Sequence, residues 1–214
     1  MYTPFLLLII LVIFTTFSYS SYAADFCVAD LTAQRTPYGY PCKNSSSVTS
    51  TDFVFSRFVT QGNTTNPNKL SLVRAFVDDF PALNGLNLAA VRVDMEPDGV
   101  VPLHSHPSSS EMVFVVEGSV TVGFISGLDS NIMYANKLSK GQVMVIPQGF
   151  LHFQHNSGSS NAVLFVSFAS SDPGVQFVTS ALFRNRFPSF LVEKTTGISQ
   201  AEVRQLKARL GGTG

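Results

Sequence analysis

The chain has 214 residues, with 14 Lys plus Arg balanced by 14 Asp plus Glu, so it lacks the basic footprint that nucleic-acid binding requires. Hydrophobic residues make up 45 % of it and aromatic residues 12 %, the latter from 19 Phe and 6 Tyr with no Trp. This composition excludes intrinsic disorder, and the length suits one domain with its own core.

The N-terminus opens with ten consecutive apolar residues, 5–14, and then reaches Ser21-Tyr22-Ala23-Ala24, a small-residue pattern suited to signal peptidase. The apolar run falls well short of the roughly 20 residues that span a bilayer. Residues 1–23 are therefore expected to be a secretory signal cleaved near Ala23 and Ala24, although no Lys or Arg precedes Arg35. Residues 24–214 would form a single secreted domain with no membrane association after cleavage.

Cys27 and Cys42, the only cysteines, flank a short loop with Pro37, Gly39 and Pro41. In an oxidising compartment they are expected to pair, with free thiols or a metal pair as the alternatives. Closing so short a loop removes roughly 3 kcal/mol of unfolded-chain entropy on the simplest model. Asn44-Ser45-Ser46 and Asn63-Thr64-Thr65 are glycosylation acceptor sequences in polar stretches.

Short runs rich in Val, Ile and Phe follow at 88–93, 112–116, 119–125, 143–146 and 163–168, separated by turn signals such as Glu117-Gly118 and Pro147-Gln148-Gly149. Val120, Val122 and Phe124 alternate with the two-residue period of a strand with one buried face. Strands at this spacing predict an all-β sandwich or barrel. Near the C-terminus the period changes. Val203, Leu206 and Leu210 recur at helical spacing behind a Ser199 and Glu202 capping box, with Gly211 as the stop, predicting a helix over 200–210. A shorter helix around Phe177, Leu182, Phe183 and Phe187 is a further expectation.

The four histidines, His104, His106, His152 and His155, all fall in two short segments. In His104-Ser105-His106 the strand period puts both imidazoles on one face. Pro107 to Ser110 make a turn that brings Glu111 beside them, and His152 arrives from a separate hairpin. Three imidazoles and one carboxylate would leave a divalent ion a net charge of about +1 with open positions, the layout of a reactive centre. By affinity order alone this donor set favours copper or zinc over manganese. His155 lies three residues beyond His152, on the opposite face of a strand, and is not expected to touch the ion.

The first segment reads His104-x-His106-x4-Glu111-x6-Gly118 and the second Gly141-x5-Pro147-x-Gly149-x2-His152-x3-Asn156. Both spacings resemble the two motifs of the cupins, and specifically of the plant germin-like proteins. Asp25-Phe26-Cys27-Val28-Ala29-Asp30 and Arg92-Val93-Asp94 extend the resemblance over nearly the whole mature chain. One departure is Asp98, where the first motif opens with glycine; Gly99 follows it.

The resemblance implies a cupin β-barrel, or jelly roll, with C-terminal helices. It also implies a manganese ion held by His104, His106, Glu111 and His152, assembly as a hexamer built from three dimers, and an extracellular place in the apoplast or cell wall. True germins oxidise oxalate with help from asparagines, one immediately before the Arg-Val-Asp stretch and one three residues before the first histidine. Those positions hold Val91 and Val101 here, which cannot donate to a carboxylate, so little or no oxalate oxidase activity is expected. Superoxide dismutation, known in the family, is the leading enzymatic expectation. The alternative is a non-catalytic wall or receptor protein binding a small ligand such as auxin.

Overall fold

The computed structural model describes residues 25–127 and 131–214; the expected signal segment 1–23 lies outside them. The alternating runs form strands that pair into two antiparallel five-stranded sheets. In chain order the strands are β1 (Leu70–Ala75), β2 (Ala89–Met95), β3 (Val100–Ser105), β4 (Glu111–Glu117), β5 (Ser119–Ile125), β6 (Met133–Ser139), β7 (Val143–Ile146), β8 (Leu151–His155), β9 (Ala162–Phe168) and β10 (Gln176–Phe177). One sheet is ordered β1-β2-β9-β4-β7 and the other β10-β3-β8-β5-β6.

Strands β2, β4, β5, β8 and β9 bury every second residue over most of their length. Val113 and Val115 of β4, Val120 and Val122 of β5, and Leu164 and Val166 of β9 point into the space between the sheets with Val91, Val93 and Met95 of β2. This is the period-two burial that the sequence predicts. All five expected strands are present with ends shifted by at most two residues. β1, β6 and β10 fall outside the expected strands. All three lie at sheet edges, and β6 (MYANKLS) is mostly exposed, so pairing rather than apolar patterning defines it.

Three helices follow: α1 (Val178–Phe183), α2 (Ser189–Thr196) and α3 (Gln200–Leu210). The helix expected over 200–210 has those bounds, with the Ser199 and Glu202 capping box and a left-handed Gly211 at φ +84°. The short helix expected before it is α1, and α2 was not foreseen. Val203, Phe183 and Val192 form a second small core flanked by Leu182, Ile198 and Leu206. Most of the α3 apolar stripe therefore packs on α1 and α2, whereas Leu210 is 36 % exposed. Lys207 is buried, and its ammonium donates to the carbonyls of Phe187 and Thr213, which ties the final residues to the loop before α2.

At the other end, a disulfide joins Cys27 and Cys42. Asn84 clamps the arm to the barrel, donating to the Tyr40 carbonyl at 2.8 Å and accepting from the Tyr40 amide. Asp98 sits at φ +66°, the left-handed region that glycine adopts without penalty. The departure from the family motif thus keeps the turn. The next position must stay small, because a Cβ on Gly99 would lie 2.6 Å from the Lys69 carbonyl oxygen. Among the described residues, no helix is long and apolar enough to cross a membrane.

Candidate metal centre

His104 lies on β3 directly opposite His152 on β8 in the antiparallel register. A register shift between Val101 and His104 marks the irregular stretch where the first motif leaves regular pairing. His106 follows just past the end of β3, and the turn through Pro107 returns the chain so that Glu111 opens β4 in the facing sheet. The four side chains therefore come from both sheets and converge between them. Each is buried, and one donor atom from each lies within 4.8 Å of all the others.

Backbone carbonyls orient the three imidazoles. Nδ1 of His104 donates to Pro102 O at 2.8 Å and Nδ1 of His152 to Phe150 O at 2.8 Å, while Nδ1 of His106 donates to Gly174 O. A carbonyl oxygen only accepts, so each Nδ1 carries the proton and each Nε2 turns its lone pair inward. Burial, reinforced by the nearby His152, pushes the His104 pKa down to about 4, which keeps this ring neutral at physiological pH. Burial acts to raise the Glu111 pKa, but contacts from His106 and His152 outweigh it and hold the carboxyl at about 2. Glu111 is thus ionised.

Oε2 of Glu111 lies 3.1 Å from His106 Nε2 and 3.0 Å from His152 Nε2. A carboxylate oxygen and two ring nitrogens meeting at one buried point need positive charge among them, shared protons in the metal-free protein or a bound cation, so this donor set fits a metal ion. The other oxygen, Oε1, accepts from Gln154 Nε2 at 2.9 Å. Gln154 has the same face of β8 as His152 by the strand period. That spacing is the signal that could have marked it from sequence. The His106 anchor at Gly174, 68 residues away, had no such signal. His155 points away from the cluster, 37 % exposed and 3.2 Å from Asp98 Oδ1, as expected.

Behind the cluster lies a cavity of about 200 Å³ whose walls are chiefly Val91, Val93, Val101, Val166, Phe168 and Phe177. Both valines that match the germin asparagines therefore face the site. Phe168 packs on the His106 ring at 4.7 Å and Phe177 on His104 at 5.3 Å, which limits the freedom of two of the three imidazoles.

A two-sheet β-barrel with three imidazoles and a carboxylate converging inside it defines a metal-site barrel of the cupin type. The model of the cupin family matches residues 56–204. Germin-like protein 8-14 of Oryza sativa subsp. japonica is 48 % identical over 198 residues, 92 % of this chain and 92 % of that protein. Auxin-binding protein ABP19a of Prunus persica is 45 % identical over 196 residues, covering 91 % and 93 %. Among solved structures, oxalate oxidase in complex with the substrate analogue glycolate aligns with a TM-score of 0.84 at 34 % identity, covering 88 % of this chain and 96 % of that one. The chain belongs to the germin-like proteins of the cupin family.

Proposed function

We propose that this is a secreted, manganese-binding germin-like protein of the plant extracellular matrix that dismutates superoxide and has little or no oxalate oxidase activity. The observation that carries the reading is the convergence of inward Nε2 lone pairs and Glu111 Oε2 on one buried point beside a cavity. His104, His106, Glu111 and His152 would hold the ion. When bound, manganese supplies one-electron chemistry between its +2 and +3 states, with an open position for a small molecule.

The chain's own residues set the conditions. With carbonyls holding the Nδ1 protons, each imidazole would offer its Nε2 to the ion as an uncharged donor, so Glu111 would be the one charged donor and would favour the higher oxidation state. Gln154 fixes Oε1 and leaves Oε2 to face the ion. Val91 and Val101, both nearly fully buried in the cavity wall, offer no donor to a dicarboxylate, which supports the low oxalate oxidase activity.

The apolar run at 5–14, the disulfide and the exposed Asn44 and Asn63 all support secretion. Asn44 Oδ1 accepts from the Ser46 amide and Asn63 Oδ1 from the Thr65 amide, leaving each side-chain nitrogen free for a glycan. Met112, Val143, Val145 and Phe165 expose an apolar band on the outer face of the first sheet, the kind of surface that a homohexamer would cover. Metal analysis of the secreted protein, with a superoxide assay on it and on His104→Ala, tests the proposal. About one manganese per chain and activity lost in the variant are expected; metal-loaded protein without activity refutes the dismutase.

The apolar cavity favours a second reading, a binding protein for a small organic acid such as auxin. A metal-loaded protein that binds such an acid but is inert to superoxide would distinguish it.

A further inference from the structure

At the rim of the metal cavity stands Arg74 of β1. Its guanidinium lies 5.5 Å from the centroid of Phe76, which packs edge-on against Phe168 at 5.8 Å, and Phe168 packs against the His106 ring at 4.7 Å. One aromatic wall thus runs from Arg74 to the ligand cluster. Apart from the ligands themselves, Arg74 is the one charged side chain among the described residues lining this cavity.

Its charge is poorly compensated. The carboxylate beside it, Asp79, accepts a hydrogen bond from Arg57 at 2.9 Å through Oδ1, whereas Arg74 is 3.7 Å from Oδ2, beyond hydrogen-bond reach. Asp79 Oδ2 has no hydrogen-bond partner, and Arg74 donates to no described residue. Because Asp79 is shared with Arg57, it offsets only part of the Arg74 charge at the mouth. A divalent ion beside Glu111 would leave the floor positive as well.

We infer that Arg74 is the charge-selecting residue of the cavity, recruiting a small monoanion whose apolar remainder, if it has one, lies against the valine and phenylalanine walls. The inference takes the cavity as the functional site and so rests on the proposed function. Superoxide and an organic monocarboxylate share the required charge. A mouth of one sign raises the arrival rate of the opposite sign by roughly 10- to 1,000-fold, and the gain shrinks with salt.

The test uses the mature, manganese-loaded protein, with metal content and melting measured for every variant. Calorimetric titration with benzoate and its neutral counterpart benzyl alcohol is run on wild type, Arg74→Gln and Arg74→Lys at low and high salt. The superoxide rate constant is measured on the same samples. If a carboxylate is the ligand, Arg74→Gln weakens benzoate about tenfold at low salt, the lower end of such effects, Arg74→Lys restores most of it, and benzyl alcohol does not respond. If superoxide is the ligand, its rate constant falls by a similar factor and loses its salt dependence. Wild type that ignores superoxide yet binds benzoate through Arg74 refutes the dismutase and keeps this inference. If neither benzoate affinity nor superoxide rate responds to Arg74→Gln, the inference is overturned.

Discussion

Gln154→Leu probes how tightly the metal site depends on a residue outside the ligand set. Glu111 is 3 % exposed, and its Oε1 accepts from Gln154 Nε2 at 2.9 Å. Leucine fills similar space but cannot donate, leaving a buried carboxylate oxygen without its partner. Hydrogen bonds to charged groups contribute about 1.5–3 kcal/mol, so the metal-free protein should lose roughly 2 kcal/mol, or about 5 °C in melting temperature for a chain of this size. Glu111 then loses the partner that fixes Oε1. Loss of such an outer partner lowers metal affinity by roughly 10- to 100-fold. Urea unfolding of the metal-free protein and competition with a metal-sensitive dye read the two effects. Unchanged manganese affinity together with unchanged stability would refute the reasoning.

Replacing both His106 and His152 with alanine should reduce bound metal to background, read by elemental analysis; retained metal would show that the four side chains are not the site. Val91→Asn with Val101→Asn should raise oxalate turnover above a near-background wild type, because each amide can supply a donor of about 1.5–3 kcal/mol to a charged partner. Strong wild-type oxalate oxidation would contradict this. Metal-free protein should lose roughly 3 kcal/mol as pH falls from 6.5 to about 4, since the unfolded chain protonates His104 first. Glu111, held at about 2, adds a further loss below 4.5; denaturant titrations at several pH values check this, and His104→Gln should flatten the upper part. Leu210→Glu should shift the assembly toward smaller species in light scattering, while Leu206→Glu should mainly lower stability by disrupting the packing against Phe183 and Val192. A monomeric wild type would rule out the hexamer.

The all-β strand pattern, the terminal helix and the grouping of His104, His106, Glu111 and His152 were legible from local patterns. Strand alternation, a capping box and the His104-x-His106-x4-Glu111 spacing are set by periods of two and 3.6 residues, which any stretch of chain carries within itself. Pairing of Cys27 with Cys42 was an expectation of the same local kind. Tertiary structure alone decided what lies far apart in sequence. The carbonyl of Gly174 orients His106, Phe76 and Phe168 link Arg74 to the cluster, and Arg57 shares Asp79 with Arg74. It also decided that α3 turns Val203 and Leu206 toward α1 and α2. An apolar stripe states only that a face must be covered, and the partner depends on which loops bring which elements together. A residue's charge is likewise visible in sequence, but whether a neighbour cancels it depends on distances that only the folded barrel sets.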